Sequence, residues 1–357
     1  MSNQPENSRA PQVTVVIASY HHEKYVREAV DSVLNQTFRD LEVIVVDDGS
    51  TDGTPDVVAR IADPRLKLIR LPENRVQHPR NIGIAEARGT YIAFQNSDDV
   101  WSLSKLEAQV EYMERHPESV ACFTGVEMID SHGRAILNSW AEGIFTQENR
   151  SSAGWLRQFF FDGNCLCLPS VMLRKDALVQ VDGLRPSLIQ ESDFDLWVRL
   201  AAVGEIYVLG EVFTKMRIIE GQNLSQPSAT SESIAKMEHA EILERYLAPE
   251  IMDRFEEIFP EWSHFQTKVA RQAAMALHHA EAMNGHKIFA DRTLATILDD
   301  PSDQAHVMEV HGCDLKRRFL ANRAAIFPPV IVMPPPKKRV SKLKKLSRFL
   351  RGKQKIQ

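Results

Sequence analysis

VIVVDDGST, at residues 43–51, is the stretch that decides the fold. Its first four residues are all β-branched, and two aspartates, a glycine and a serine follow at once. An unbroken apolar run predicts a strand that is buried on both faces of a sheet, because a strand with one solvated face alternates apolar and polar residues. A polar turn directly after such a strand places carboxylates at its carboxyl end, where open parallel sheets bind their ligands.

The same two patterns alternate through the first third of the chain. Apolar runs predict further buried strands, and residues that repeat every three or four positions predict helices between them. A stripe from Val26 to Leu34 shares one helical face, and Thr54-Pro55 is typical of a helix start. The predicted strands span 13–18, 43–46, 66–71 and 90–95. Alternation of this kind predicts a parallel sheet covered by helices on both faces.

The pattern changes further along the chain. Strands are predicted at 120–128, 166–173, 205–209 and 212–217, with a helix at 193–202. From 231 to 325 the pattern is helical throughout, and a polar stretch with a proline precedes it. The predicted organisation is a disordered leader at 1–11, an α/β domain at 12–222, a helical region at 231–330 and a proline-rich, then basic tail at 334–357.

Composition places the chain among soluble globular proteins. Of its 357 residues, 43% are hydrophobic and 25% are charged, and the length favours two domains or one domain with a large extension. No stretch approaches the roughly 20 apolar residues of a membrane-spanning helix, and the first residues lack the apolar core of a signal peptide. The four cysteines show no disulfide framework, which favours a reducing, cytoplasmic compartment. We interpret Cys165 and Cys167 as buried apolar residues.

The charge is unevenly distributed. Residues 337–357 contain ten Lys and Arg and no Asp or Glu, although the whole chain has a net charge of −5. The acidic remainder argues against an enzyme that acts on nucleic acid. An apolar stripe from Val340 to Leu350 predicts a basic amphipathic helix that binds an anionic membrane surface. A solvated basic end and a nucleic-acid-binding tail are the alternatives.

Two strand ends bring pairs of carboxylates together. Asp47 and Asp48 follow the second predicted strand, and Asp98 and Asp99 follow the fourth. Because the carboxyl ends of parallel strands meet at one edge of the sheet, these groups would repel one another unless a cation lay among them. A hard divalent cation that carries phosphate oxygens fits this arrangement. Taken singly, the first pair is also typical of a turn and the second of a helix cap.

Four segments in series resemble the family 2 glycosyltransferases, which have the GT-A fold. They are residues 13–20, VVDDGST at 45–51, RNIG at 80–83 and NSDD at 96–99, and the resemblance covers roughly residues 12–220. It implies an α/β fold of the GT-A type, with a mostly parallel, Rossmann-like sheet flanked by helices. It also implies a nucleotide-sugar-binding half at 12–100 and an acceptor half at 101–222.

The resemblance assigns donor-binding roles to individual positions. Ala18 and Tyr20 would hold the nucleotide, with Tyr20 near the base. Asp48 would accept a hydrogen bond from the uracil ring, and Arg80 would lie at the rim of the nucleotide pocket. Asp98 would bind the donor through a metal ion.

The NSDD segment resembles the motif that binds this metal. Asn96, Asp98 and Asp99 would hold a divalent cation, Mn or Mg, that bridges the donor diphosphate. Asn96 stands where the family usually has Asp. Its amide oxygen can still ligate a hard cation, but it brings no negative charge.

A fifth segment, ESDFDLW at 191–197, resembles the motif that begins the acceptor-side helix in this family. Asp193 would be the general base that removes a proton from the acceptor hydroxyl during one in-line, inverting displacement. Asp193 alone is also typical of a helix start, where the dipole favours an acid. Ser192 stands where the family usually has Glu. Trp197 shares a helix face with Asp193 and would serve either as the floor of a sugar site or as core.

Together these features predict a metal-dependent, inverting glycosyltransferase. The donor would be a nucleotide sugar, with UDP as its nucleotide, and the acceptor a glycan or lipid-linked hydroxyl in polysaccharide or lipopolysaccharide synthesis at the cytoplasmic face of the membrane. A non-catalytic nucleotide-sugar or membrane-binding module of the same fold is the alternative. A nucleotidyltransferase would have a Gly-rich phosphate loop after the first strand, where this chain has Ser19-Tyr20-His21-His22. We interpret that histidine pair as exposed loop residues.

Overall fold

The structure is a computed structural model that describes residues 9–74, 78–137, 143–219, 228–280 and 284–326. Most of the predicted leader and the whole of the tail at 334–357 lie outside the described residues. Within the described part of the chain, eight strands form one mixed sheet. The strands are β1 (Val13–Ser19), β2 (Leu41–Asp47), β3 (Leu66–Arg70), β4 (Tyr91–Asn96), β5 (Val100–Trp101), β6 (Ser119–Ile129), β7 (Met172–Arg174) and β8 (Glu205–Arg217).

Helices follow most of the strands and make up the last part of the described chain. Those of the first 217 residues are α1 (Val26–Leu34), α2 (Thr54–Ala59), α3 (Pro79–Glu86), α4 (Lys105–Arg115), α5 (Ser152–Asp162), α6 (Lys175–Gln180) and α7 (Ser192–Val203). Those that follow are α8 (Ala229–Leu243), α9 (Pro249–Met252), α10 (Phe255–Ile258), α11 (Lys268–Ala280), α12 (Asn284–Leu298), α13 (Pro301–His311) and α14 (Leu315–Ile326). None of the helices in the described residues is long and apolar enough to cross a bilayer.

The sheet order is β3-β2-β1-β4-β7-β6-β8-β5. The first four strands in this order are parallel, as predicted, and β7 runs antiparallel to both of its neighbours. In the parallel block, Ser19 lies opposite Asp47 and Ala18 lies opposite Asn96. The polar segments that follow β1, β2 and β4 therefore leave the sheet at one level, on one edge.

Burial on both faces explains the unbroken apolar runs. Along β1, Val13, Val15 and Ile17 belong to one buried cluster, whereas Val16 belongs to another on the opposite face. Alternate side chains of a strand point to opposite faces, so each face of β1 needs apolar residues. Both faces of β1 are thus packed against apolar side chains, which fixes the position of the strand's carboxyl end.

Two strand predictions were wrong in detail. The predicted strand at 166–173 is replaced by a 3-10 turn at Leu168–Ser170 and the short β7. Pro169 lies in that turn, and proline has no N–H to give to a strand ladder. The predicted strands at 205–209 and 212–217 form a single strand, β8, whose pairing with β6 shifts register around Gly125. The aromatic-rich helix α5, capped by Ser151, was not predicted.

The helical region packs directly on the α/β layers. One buried cluster joins Trp197 of α7 to Leu243 of α8 and Phe289 of α12. The predicted boundary at 222–231 falls largely on residues outside the described part of the chain and stays a prediction. Cys165 and Cys167 are buried free thiols, as expected of small apolar residues.

Candidate active site

The turn after β2 is held by its own side chains. Asp47 accepts hydrogen bonds from Ser19 Oγ (3.0 Å), Ser50 N (3.0 Å) and Ser50 Oγ (2.7 Å). Gly49 has a φ of +77°, and a Cβ there would lie 2.5 Å from the backbone carbonyl carbon of Glu73. Only glycine fits this turn without strain. Asp47 is therefore a turn-forming residue, and it places the next carboxylate, Asp48, at the sheet edge, where its N–H donates to Ser19 O over 2.9 Å.

An exposed aromatic ring lies beside this turn. Tyr20 is 43% exposed and stacks on His21, with ring centroids 4.0 Å apart. His21 Nε2 lies 3.1 Å from Thr51 Oγ1 and accepts the Thr51 N–H, which ties the stacked pair to the turn. An aromatic face held in this way can stack on a nucleobase. Ala18, half-buried at the end of β1, completes the predicted nucleotide side.

The NSDD segment forms a buried hydrogen-bonded turn after β4. Asp99 Oδ1 accepts from Arg217 N (2.7 Å), and Asp99 Oδ2 accepts from Asn96 Nδ2 (2.8 Å). Arg217 Nε donates to the carbonyl oxygen of Asp98 over 2.7 Å. Burial raises the pKa of Asp98, and burial together with the neighbouring Asp98 charge raises the pKa of Asp99 well above its usual range.

Arg217 is a site residue that the sequence analysis missed. It ends β8, is 1% exposed, and also donates to Asp130 O (3.0 Å) and to Glu28 Oε2 (2.7 Å). A lone arginine at the end of a mostly apolar predicted strand was the available signal, since a buried cation needs partners.

His22 was wrongly interpreted as an exposed loop residue. Its ring is half-buried, and Nδ1 lies 2.8 Å from Ser97 Oγ and 3.9 Å from Asp98 Oδ1. The loop after β1 therefore folds over the NSDD turn. His21, by contrast, is exposed, as predicted.

Arg80 reaches the NSDD turn from α3. Its Nη2 donates to Asn96 Oδ1 over 2.5 Å, while Nε is buried and has no hydrogen-bond partner among the described residues. Burial lowers the pKa of Arg80 to about 10, against the attraction of Asp193, Asp99 and Asp98, so the guanidinium stays charged at neutral pH. Its positive charge therefore acts on the carboxylates of the predicted metal motif and on Asp193, the predicted base.

Glycine brings α3 close enough for this contact. A Cβ on Gly83 would lie 2.4 Å from Val16 Cγ1, so no larger residue lets the helix approach β1 so closely. Two residues earlier, Asn81 donates to Leu184 O (2.7 Å) and accepts from Leu184 N (3.0 Å). Arg80, Asn81 and Gly83 of the RNIG segment thus each make a different contact.

Asp193 lies half-buried in the first turn of α7. Its Oδ1 accepts the Phe194 N–H (2.8 Å), and its Oδ2 accepts a longer hydrogen bond from Asn164 Nδ2 (3.4 Å). Burial, with a further contribution from the Glu191 charge, raises the pKa of Asp193 to about 6, even though Arg80 acts in the opposite direction. Four residues on, Trp197 is completely buried against Phe123, which assigns it to the core and not to a sugar site.

The donor set at the NSDD turn suits a hard cation that arrives with a substrate. Among the described residues, no group of three His, Cys, Asp or Glu side chains could hold a metal ion unaided. Mg²⁺ and similar ions are commonly held by one or two carboxylates together with substrate phosphates. Asp98 and Asp99 are such carboxylates. Burial raises the pKa of both, the charge of Asp98 raises that of Asp99 further, and a bound cation would favour the ionised form of each.

Comparison with known proteins agrees with this arrangement. The Glycosyl transferase family 2 model matches residues 14–174, which include the NSDD turn but not Asp193. An uncharacterized glycosyltransferase of Nostoc sp. is 31% identical over 232 residues, covering 63% of this chain and 70% of that protein. TuaG of Bacillus subtilis, named as a putative teichuronic acid biosynthesis glycosyltransferase, is 30% identical over 213 residues, covering 58% of this chain and 80% of that protein.

A solved structure shares the fold. Residues 1–349 of S. aureus TarS, in complex with UDP-GlcNAc, are 20% identical, with a TM-score of 0.58 over 88% of this chain and 90% of that one. The predicted GT-A-type fold with a helical C-terminal region is thereby confirmed. The chain is a glycosyltransferase and belongs to family 2.

Proposed function

We propose that this enzyme transfers a sugar from a UDP-sugar to a hydroxyl of a glycan or lipid-linked acceptor, with inversion at the anomeric carbon. The observation that carries the proposal is the environment of Asp193. A half-buried carboxylate with a pKa of about 6 is suited to general base catalysis near neutral pH. Arg80 joins this carboxylate electrostatically to the NSDD turn, where the donor diphosphate would bind.

The donor half supports a nucleotide with a flat base. Tyr20 would stack on the base, Asp48 would accept a hydrogen bond from it, and Ala18 would leave room beneath the ribose. Arg80 would donate to an oxygen of the sugar nucleotide through Nε, which has no hydrogen-bond partner in the part of the chain that the structure describes. The UDP-GlcNAc complex of TarS supports UDP as the nucleotide, and the assignment of TuaG supports cell-surface polysaccharide synthesis as the process.

A divalent cation, Mn or Mg, would be held by Asp98, with Asn96 and Asp99 beside it. When bound, it would supply positive charge to the leaving diphosphate. Asp98 is the principal ligand in this proposal, because both carboxylate oxygens of Asp99 already accept hydrogen bonds within the protein.

The chemistry proposed for Asp193 is one proton transfer coupled to one displacement. The acceptor O–H proton passes to the Asp193 carboxylate as that oxygen bonds to the anomeric carbon. The bond from the anomeric carbon to the phosphate oxygen breaks on the opposite side, and UDP leaves with the electron pair. Oδ2 is the more available acceptor, because its hydrogen bond from Asn164 is the longer of the two.

UDP release from a panel of UDP-sugars tests this function. The assay compares the wild type with Asp98→Ala and Asp193→Ala, with Mn present or EDTA added. We expect one sugar to turn over, EDTA to stop it, and both variants to lose it. Metal-independent UDP binding without turnover of any sugar, also in the presence of a lipid-linked acceptor, would favour a non-catalytic module.

We also propose that the enzyme works at the cytoplasmic face of the membrane, bound through residues 337–357. The ten Lys and Arg of that segment support this, because anionic lipid attracts basic segments by about 1 kcal/mol per charge. The full chain should sediment with vesicles that contain phosphatidylglycerol and not with neutral vesicles. Replacement of five tail lysines by Glu should abolish sedimentation, and its persistence would contradict the proposal.

A further inference from the structure

Glu238, on α8, accepts three backbone hydrogen bonds from the segment that leads into α7. Ile189 N donates to Oε1 over 2.6 Å, and Gln190 N and Glu191 N both donate to Oε2 over 2.8 Å. Glu238 is only 5% exposed. Hydrogen bonds to an ionised carboxylate are shorter and stronger than those between neutral groups, so this contact fixes the segment firmly.

These N–H groups depend on Glu238 for an acceptor. Glu191 is the N-cap residue of α7, and its own side chain makes no capping hydrogen bond. Backbone N–H groups before the first helical turn have no partner within the helix. Loss of the Glu238 carboxylate would therefore leave three donors of 189–191 to find other acceptors, and the segment would move.

The same helix is also linked to α7 beyond Asp193, through Arg185. Glu241 accepts from Arg185 Nη2 (3.2 Å), and Arg185 Nη1 donates to Asp195 Oδ1 (3.4 Å). His239 Nδ1 lies 3.1 Å from Glu191 Oε2. Ala240, Ile242 and Leu243 of α8 are completely buried in the large core cluster. Helix α8 is thus fixed by its apolar side chains in the core, and its polar side chains contact residues on both sides of the start of α7.

We propose that Glu238 is a positioning residue for Asp193, so that the helical region sets the place of the general base. The proposal rests on the proposed role of Asp193. Asp193 follows Glu191 by two residues, so a shift of the segment carries the carboxylate away from the acceptor hydroxyl. A displacement of about 1 Å can cost on the order of 100-fold in rate.

Replacement of Glu238 by Gln tests the proposal in the full chain. The amide group of Gln meets an N–H donor where an oxygen accepted before, so at least one of the three hydrogen bonds is lost. UDP release is measured with the panel sugar that the wild type turns over fastest, at saturating Mn. We expect kcat to fall about 10- to 100-fold, while the donor KM and the Kd for UDP stay within about twofold. Glu238→Asp, which keeps the charge but shortens the reach, should give an intermediate kcat and covers the case in which the Gln variant does not fold.

Glu42→Gln is the matched control. Glu42 is also almost buried and accepts from Thr14 Oγ1 (2.7 Å), Arg88 N (2.8 Å) and the Arg88 guanidinium, but it lies at the opposite end of β2 from Asp47. The control should lose a similar amount of stability and keep its kcat within about twofold. A Glu238→Gln enzyme that loses stability but keeps kcat would overturn the proposal, since the contact would then be structural alone.

A double-mutant cycle separates this proposal from the proposed function. If Glu238 acts through Asp193, Glu238→Gln should change the residual rate of Asp193→Asn by less than about twofold. A further tenfold loss in that background would show that Glu238 acts elsewhere. Undiminished activity of Asp193→Asn by itself would instead remove Asp193 as the base, whatever Glu238 does.

Discussion

Arg80 Nη2 donates a hydrogen bond to Asn96 Oδ1 over 2.5 Å, which places a guanidinium on the oxygen that a metal-binding Asp would present at this position. Asn96 Nδ2 in turn donates to Asp99 Oδ2. The amide therefore connects a cation to a carboxylate, which a second carboxylate could not do without repulsion. The absence of a charge at Asn96 is thus compatible with a well-ordered turn.

This relationship predicts the behaviour of Asn96→Asp. The new carboxylate adds charge to the NSDD turn, so the Mn concentration for half-maximal UDP release should fall about tenfold. Without metal, repulsion from Asp99 and loss of its hydrogen bond should lower the free energy of unfolding by about 1 kcal/mol. Mn titration of activity and urea unfolding in EDTA measure the two effects.

Asn149→Asp is the control for that prediction. Asn149 also uses both ends of its amide, with Val208 O (2.9 Å) and Val208 N (2.7 Å), but Val208 lies in the first half of β8, away from Arg217 at its end. It should lose stability without a change in the Mn requirement. An unchanged Mn requirement in Asn96→Asp as well would show that Asn96 is not close to the metal.

The pH dependence of activity follows from Asp193. The carboxylate must be ionised to accept a proton, and burial raises its pKa to about 6. At saturating Mn, kcat/KM should therefore be half-maximal near pH 6 and fall about tenfold per unit below it, where an ordinary aspartate would give a midpoint near 4. Glu191→Gln removes a negative charge that raises this pKa, so its acid limb should move to lower pH. A limb that stays in place would mean that another group controls it.

Parts of this site could be predicted from local sequence and parts could not. The turn after β2 is formed largely by residues that are neighbours in sequence: the buried strand, the carboxylate of Asp47 that accepts from Ser50, and Gly49 with its positive φ. The pairing of Asp98 with Arg217 joins residues 119 positions apart, and no local pattern reports it. The prediction that His22 is exposed was wrong because its burial depends on how the loop after β1 folds over the NSDD turn.

The same distinction explains the fold. The parallel strands could be predicted locally, because a strand that is buried on both faces has an unbroken run of apolar residues. The order in which β7 enters the sheet depends on pairing with β4 and β6, and only three residues form it after Pro169. Glu238 was missed for a related reason: an acid on a helix is typically solvated, and only docking of α8 against 189–191 makes it a buried acceptor.

Asp193→Asn should lower activity and raise stability together. Because burial raises the pKa of Asp193, the neutral form is favoured in the folded state, and stability is lost as the pH rises through about 6. Asn is neutral, so at pH 7.5 the free energy of unfolding should rise by on the order of 1–3 kcal/mol, and the gain should shrink toward pH 4. UDP release should fall about 100- to 10,000-fold. Urea unfolding at both pH values checks the sign, and destabilisation at both would contradict it.

Arg217→Lys should loosen the NSDD turn. Lys keeps the charge, but its single ammonium group cannot reach Asp98 O, Asp130 O and Glu28 at once, as the guanidinium does. A broken buried network costs about 3–5 kcal/mol in the free energy of unfolding, and the freed Asp98 carbonyl should raise the donor KM at least tenfold. Arg134→Lys, which affects an exposed pair with Asp130, should cost much less stability and leave KM unchanged. Urea unfolding measures the loss of stability, and donor titration measures KM. A stability loss of this size with an unchanged KM would mean that Arg217 supports the fold but not the donor site. The reason is that an Asp98 that binds the donor cannot move without a change in donor affinity.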